Sequence, residues 1–447
     1  MAKEMKYRDV LKDKEFCKHL FFGLINRFGD SLDAIAFTWI TYQITHSASW
    51  AALMYGLNVI PNIIVQPLAG PIVERLDKKK VIVSTHILRG LVISAFVIMY
   101  LTGIVNPLIM AAFTLVITTI ESFNMPAAGA FTPLLVQKEK LAHAMSLRST
   151  LDSVVQLVGT GVAGVIIAKL GAQTAMMIDA ATFFTAAFGI MTVRTLAERE
   201  ADSDVSSSET VYAAKENLTQ KDVSAKQSYF SMLQDGLSYV FKNRIILNVC
   251  LAVVLMNLFL VPLNALQAPI AEEIYGLGSE LLSVIGIAAA IGGIIGSIII
   301  PGIMDKFSVK SIIVVGGVTL GGFMYLLSRG SILGGAVIPG YLWAGTCFFM
   351  MVVAGTVIGG SINIQFVKTC DAQYLARAGS VLGALSVAAT PVGSFAVSAL
   401  SVKLSPAFML GAGGIMLAAI GIIAAVSKID FEIIKKDETV PNATQTI

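Results

Sequence analysis

The residues that could do chemistry in this chain are ionisable side chains standing inside otherwise apolar stretches: Arg27, Asp30, Asp33, Arg89, Glu121, Arg148, Asp152 and Asp179. A charge held in hydrocarbon costs on the order of a few kcal/mol, so such residues mark ion pathways, proton relays or counter-ion pairs. Spacing sorts them. Glu121 has no base three or four residues away on either side. An acid without a local counter-ion can take a proton from one face and release it when a cationic substrate arrives from the other. Its plain alternative is a neutral glutamate hydrogen-bonded to a neighbouring helix. Asp33 stands one turn from Asp30. Two like charges that close repel, which makes Asp33 the second proton-carrying candidate. Asp30, three residues from Arg27, is expected to form an intrahelical pair. Arg148 and Asp152 are spaced i, i+4 and neutralise each other; in the functional version Asp152 leaves this gate on taking a proton. Asp179 is expected to be a packing or capping carboxylate, and Arg89 to neutralise a nearby acid or helix end.

All of these groups lie in the first half of the chain. The second half offers polarity without charge: Asn257, Asn264 and Gln267, then Ser361, Asn363 and Gln365. Together with Met256, Phe259, Phe348, Phe349, Met350 and Met351 they suggest an amphiphile-sized pocket, because methionine and aromatic side chains adapt to varied shapes. Taken singly, each is equally at home in an apolar core. The sequence contains no nucleotide-binding P-loop, so energy is expected from an ion gradient or from the substrate's own gradient. Cys17, Cys250, Cys347 and Cys370 have no metal-ligand spacing and read as unpaired packing residues. His19, His46, His86 and His143 are scattered and form no nucleophilic arrangement with serine and aspartate. No cofactor, metal centre, nucleic-acid partner or enzymatic activity is expected.

The elements that must position these groups follow from composition. Of 447 residues, 55% are hydrophobic and 14% charged, with mean hydropathy +0.77. Soluble domains carry about 25% charged residues, so this is an integral membrane protein. A spanning helix needs roughly 20 apolar residues. Twelve such stretches are predicted, at 16–43, 50–73, 81–104, 107–130, 142–168, 172–193, 245–271, 281–300, 309–328, 335–366, 376–402 and 407–426. They divide the chain into an N-terminal six-helix bundle (1–194), a cytoplasmic linker (195–244), a C-terminal six-helix bundle (245–428) and a cytoplasmic tail (429–447). The first part of the linker, with Ser206-Ser-Ser208, reads as disordered. In its last part Tyr229, Phe230, Leu233, Leu237, Val240 and Phe241 recur at helical spacing. They predict either an amphipathic helix on the inner membrane face or an ordinary connector helix. The charged N-terminus has no cleavage site and is expected to be retained. Lys and Arg concentrate in the segments that share a side with the N-terminus. Lys169, Arg329 and Lys403 fall on the opposite side, so the positive-inside bias places both termini in the cytoplasm.

The chain also repeats. Leu141-Ala-His-Ala-Met-Ser146 aligns with Leu375-Ala-Arg-Ala-Gly-Ser380, and the register runs on through Gly159/Gly393 and Lys169-Leu170/Lys403-Leu404. Copies in the same orientation give a parallel six-plus-six arrangement, in which two bundles rock about a central site. A second echo lies in the turns. Gly70-Pro-Ile-Val-Glu-Arg-Leu-Asp-Lys-Lys-Lys80 recurs as Pro301-Gly-Ile-Met-Asp-Lys-Phe-Ser-Val-Lys310, with Asp305 and Lys306 in the places of Glu74 and Arg75. Gly70 is expected to allow close helix approach. Glu74 and Arg75 are expected to pair, and Lys78, Lys79 and Lys80 to hold the turn at the cytoplasmic face. The two turns together would latch the bundles there.

On these residues the chain resembles the major facilitator superfamily. The segment from Gly70 to Lys80 is similar to that family's loop G-x-x-x-D-R-x-G-R-K/R, with Glu74 for the aspartate and Asp77 for the second glycine. Within the superfamily it is most similar to macrolide-efflux-type permeases. The supporting stretches are Asn26-Arg-Phe-Gly-Asp30 with Trp39, Pro126, Thr132-Pro-Leu-Leu-Val136, Ile178-Asp-Ala180, Pro262-Leu-Asn-Ala265 and Tyr374-Leu-Ala-Arg377. It departs from the family where Ile117 stands near a position often basic, and where Gly159-Thr-Gly-Val-Ala-Gly164 lacks the proline of the antiporter motif. The resemblance implies secondary transport by alternating access, usually proton-driven drug export. The expected partners are protons, the lipid bilayer of the cytoplasmic membrane and a small amphiphilic substrate such as a macrolide-like compound, handled by a monomer. The alternative is an exporter, flippase or facilitator for an endogenous amphiphile such as a lysophospholipid or siderophore.

Overall fold

A computed structural model of the chain describes residues 10–202, 237–333, 336–370 and 375–426. Among the described residues the regular structure is helical, without strands. Twelve long helices correspond one to one with the predicted spans: α1 (Lys14–Thr45), α2 (Ala48–Arg75), α3 (Lys78–Leu101), α4 (Pro107–Phe131), α5 (Lys138–Leu170), α6 (Ala172–Met191), α7 (Arg244–Ala265), α8 (Glu280–Met304), α9 (Val309–Leu327), α10 (Val337–Thr369), α11 (Leu375–Leu400) and α12 (Pro406–Val426). Eleven of them are long and apolar enough to cross a membrane. The exception is α1, which carries Arg27, Asp30 and Asp33 along its length. The residues that lower its hydropathy are the ones the sequence marks for chemistry.

Local chemistry sets the helix starts. Asp13 accepts from the amides of Glu15 and Phe16, Asp77 from Lys80, Asn106 from Ile109, Asn243 from Ile245 and Ile246, and Ser308 from Ser311. Each satisfies amides that the first turn of a helix leaves unpaired. The expected single span 245–271 is interrupted. Helix α7 stops at Ala265, and a short turn at Gln267–Pro269 leads into a π-helical turn at Ile270–Ile274. Pro269 has no N–H to give the Ala265 carbonyl, which removes one rung of the ladder at the interruption.

Packing inside the two halves is the same, six helices apart. In the first half α1 lies on α5 and α6, α3 on α4 and α6, and α2 on α4. In the second half α7 lies on α11 and α12, α9 on α10 and α12, and α8 on α10. This is the parallel repeat. The bundles meet along two seams that the repeat exchanges, α2 with α11 and α5 with α8. At the second seam the Gly164 amide donates to Ser283 Oγ at 2.7 Å. A Cβ on Gly164 would come within 2.6 Å of the Ser279 carbonyl, so the close approach requires glycine.

Beyond α6 a short helix, Leu196–Asp202, returns to the N-terminal bundle, where Arg199 donates to Asp13 and to the Leu135 carbonyl. Residues 237–242 are helical. Val240 is buried in a cluster with Ile246, Cys250 and Phe366, while Leu237 and Phe241 are exposed. Tyr229, Phe230, Leu233, the serine run and the C-terminal tail lie outside the described residues.

Candidate functional site

The interior of the N-terminal bundle holds a cluster of charges from four helices. Helix α1 brings Asp30 and Asp33, α3 brings Arg89, α4 brings Glu121 and α6 brings Asp179. Arg89 is buried, and its Nη2 donates to Asp30 Oδ1 at 3.1 Å. Its guanidinium carbon lies 4.2 Å from the centroid of the Phe183 ring, an arrangement that stabilises a desolvated cation. Asn26 Nδ2 donates to the other Asp30 oxygen at 2.9 Å. The expected Arg27–Asp30 pair is therefore not formed. The donors to this partly buried carboxylate come from α3 and Asn26. Arg27 turns to α5, where its Nη2 donates to Gln156 Oε1 at 2.6 Å. Arg89 is within electrostatic range of Asp30, Glu121, Asp179 and Asp33, so four acids share one buried guanidinium.

The acids differ in their surroundings. Asp33 Oδ1 is buried without a hydrogen-bond partner. Glu121 is half-buried, with Arg89, Asp30 and Arg27 as neighbouring charges. Asp179 is fully buried; it caps no helix terminus, and its Oδ2 has no partner. It faces Gly29 of α1, where a Cβ would come 2.5 Å from Asp179 Oδ1. Nearer the N-terminal end of the bundle, Arg148 Nε lies 3.6 Å from Asp152 Oδ2. The same guanidinium donates to Thr132 Oγ1 at 2.8 Å and sits 2.9 Å from His19 Nε2. Arginine only donates, so His19 Nε2 accepts. Arg148 thus ties α5 to α1 and to the turn after α4, beyond its helical neighbour. His19 and His86, which look unrelated in the sequence, are both buried in this bundle, His86 beside Phe183.

A cavity of about 1170 Å³ lies between the two bundles. Its first wall carries Arg27 and Asp30 of α1 and a polar stripe on α5, Ser149, Ser153, Gln156 and Thr160. Its second wall carries Asn264, Gln267 and Phe348 among aliphatic residues of α7, α8 and α10. A side chamber of about 220 Å³ opens among α1, α2 and α4, lined by Asp33, Tyr55, Asn58 and Thr114 and bounded by Asn264. Of the amides named from sequence, Asn264 and Gln267 reach the cavity. Asn257 instead donates to the Val253 carbonyl of its own helix, and Gln365 to Thr369 Oγ1. Asn363 is exposed and lines neither space. Glu121 lines neither space either; of the proton-carrying candidates, Asp33 and Asp30 do. Tyr55, Asn58 and the α5 stripe were not singled out from sequence. Serine, serine, glutamine and threonine at i, i+4, i+7 and i+11 give the signal that marks one polar face of a spanning helix.

The two faces of the molecule differ. Where α1 ends, Tyr42 Oη donates to Glu273 Oε1 at 2.8 Å and Gln43 Nε2 to Glu272 Oε2 at 3.4 Å. At the same face Ser49 Oγ donates to the Ser398 carbonyl, and Ser283 Oγ to the Thr160 carbonyl, both at 2.8 Å. The opposite face holds the repeated turns. A Cβ on Gly70 would meet nothing within 4 Å, so the close approach expected there is absent. Glu74, Arg75, Asp305 and Lys306 are exposed. Lys79 Nζ stands 4.0 Å from Glu198, and Asp77 rather than Glu74 caps the following helix. Among the described residues none of the four side chains Glu74, Arg75, Asp305 and Lys306 forms an ion pair across the two turns. The bundles are held together at one face; at the other, among the described residues, these four side chains make no latch between them.

Comparison with known proteins agrees with this architecture. The chain is 21% identical over 320 residues to the uncharacterized MFS-type transporter YkuC of Bacillus subtilis (strain 168), covering 70% of this chain and 71% of the relative. It is 22% identical over 275 residues to macrolide efflux protein A of Enterococcus faecalis, covering 61% of this chain and 78% of that one. Among solved structures, the nucleoside transporter NupG superposes with a TM-score of 0.70 at 11% identity, over 92% of this chain and 97% of that one. The family profile described as the Major Facilitator Superfamily matches residues 20–397, so the chain is a multi-pass membrane transporter belonging to that superfamily.

Proposed function

We propose that this transporter is a proton-coupled exporter of amphiphilic compounds, macrolide-like drugs among them, working by alternating access as a monomer in the cytoplasmic membrane with both termini inside. One observation carries the reading. The cavity between the bundles has its charged residues, Arg27 and Asp30, on the N-terminal wall and a neutral, largely aliphatic wall opposite, and Asp33 lines the chamber beside it. Asp33 has no base of its own, since Arg89 is engaged by Asp30. A proton and a cationic amphiphile then compete for the same carboxylate, and each binding event changes the charge buried between the bundles. The efflux relative supports the direction of transport. In this reading the Tyr42–Glu273 face is the extracellular one, closed here, and the turns around Glu74 and Asp305 latch in the alternate state.

The test is transport by the full chain in proteoliposomes, using a macrolide and a cationic dye with and without an imposed pH gradient. Asp33→Asn and Glu121→Gln should each cut gradient-driven transport by about tenfold or more, the scale of losing one proton-transfer group, while leaving exchange in the absence of a gradient. Gradient dependence unchanged in both variants would overturn the proton-coupled reading.

A further inference from the structure

The side chamber has a chemistry distinct from that of the large cavity. Asp33 is the one charged residue in its lining. The hydroxyls of Thr38, Thr41 and Thr114 all line it, and each gives its proton to a carbonyl one turn back in its own helix, Ala34, Phe37 and Met110. Their lone pairs are what they can offer to a guest. Asp33 adds a carboxylate to the lining. Asn58, Asn264 and Tyr55, each able to donate as well as accept, stand on the same lining. Phe37 and Phe113, stacked on each other at 6.1 Å between centroids, complete the wall with apolar surface. The nearest bases are committed elsewhere, Arg89 to Asp30 and Arg27 to Gln156.

A chamber with one carboxylate, three hydroxyls whose protons are already given away and no base fits a guest that donates hydrogen bonds and carries positive charge. Its size, about 220 Å³ beside about 1170 Å³, suits a head group and excludes a large ring system. We infer that the chamber among α1, α2 and α4 is a head-group subsite that seats a protonated amine flanked by hydroxyls, with the apolar body of the same molecule lying in the large cavity against the aliphatic wall. Asn58, Tyr55 and Thr114 are its specificity-determining residues. This rests on the transport reading above and narrows its substrate class to amines with a hydroxylated head. An amphiphile without such a head would bind in the large cavity alone.

The test is equilibrium binding to the purified full-length protein in detergent, without a gradient, so it is separate from proton coupling. The probes are daunorubicin, which joins an aminosugar to an apolar ring system, and its aglycone, which lacks the amine. Wild type should bind daunorubicin at least about tenfold more tightly than the aglycone, as expected for a charge-assisted contact in a desolvated site. Asn58→Leu and the nearly isosteric Thr114→Val should bring that preference to within about threefold, with the aglycone affinity nearly unchanged. A thermal melt confirms that each variant is folded. Equal binding of both probes by wild type, binding of neither, or a preference surviving both substitutions overturns the subsite. Loss of gradient dependence with the preference intact would sink the proton-coupled reading alone.

Discussion

At the scale of single residues, Arg89 decides the behaviour of the cluster. Its guanidinium is buried, paired with Asp30 and stacked on Phe183. Removing one partner of such a pair leaves the other under-compensated, at a cost below the about 3–5 kcal/mol of a fully buried pair because Asp30 is 24% exposed, whereas removing both charges costs less. Arg89→Gln should therefore lower the melting temperature of the purified protein sharply, and the double variant Arg89→Gln with Asp30→Asn should recover most of the loss. A double variant no better than the single would show that Asp30 is not the partner that matters. The sequence already marked each of these residues as a buried ionisable group. It could not assign partners, because Arg27 is the nearer base along the chain, and the choice between Arg27 and Arg89 depends on which side of α1 faces α3. The same limit applies to Asn257 and Asn264, seven residues apart on α7. One is satisfied by its own backbone and the other looks into the cavity.

At the scale of elements, the break at Pro269 has a consequence for the whole cycle. It ends α7 at Ala265 and places Glu272 and Glu273 in a π-helical turn, where they meet Gln43 and Tyr42 at the end of α1. A hydrogen bond to a carboxylate contributes about 1.5–3 kcal/mol. Tyr42→Phe should weaken closure at this face. A cysteine placed at Ser398, beside the α2–α11 seam, should then react faster with a water-soluble thiol reagent, by about tenfold for roughly 1.4 kcal/mol of shift. Unchanged labelling would show that the seam, not the Tyr42–Glu273 bond, holds the face closed. At the other face Glu74→Ala should slow transport cycling while leaving substrate affinity nearly unchanged, since Glu74 is exposed and is not part of the cavity lining. A large loss of affinity would contradict a latch role. The turn residues were legible as turns, but which of them act as caps was not: Asp77 caps α3, and Glu74 does not.

At the scale of the whole molecule, the two halves pack by one scheme repeated after six helices, and they touch along two equivalent seams. Equivalent seams let one bundle tilt against the other without unpacking either. The orientation proposed above puts both termini in the cytoplasm. A green fluorescent protein fused after Ile447 should fold and fluoresce in cells, and an alkaline phosphatase fused at the same place should stay inactive. An active phosphatase fusion would reverse the assigned orientation.

The amino-acid sequence by itself determined the solvent, the number of spanning helices, their parallel repetition and the list of groups able to carry charge. Each follows from local hydropathy and spacing, because in lipid the backbone must satisfy its own hydrogen bonds within each helix. Tertiary structure alone decided which acid keeps which base, which amides face the cavity, and that a small acceptor-lined chamber adjoins it. These depend on the rotation of each helix about its axis, which is set by the sum of many side-chain contacts between elements distant in the chain.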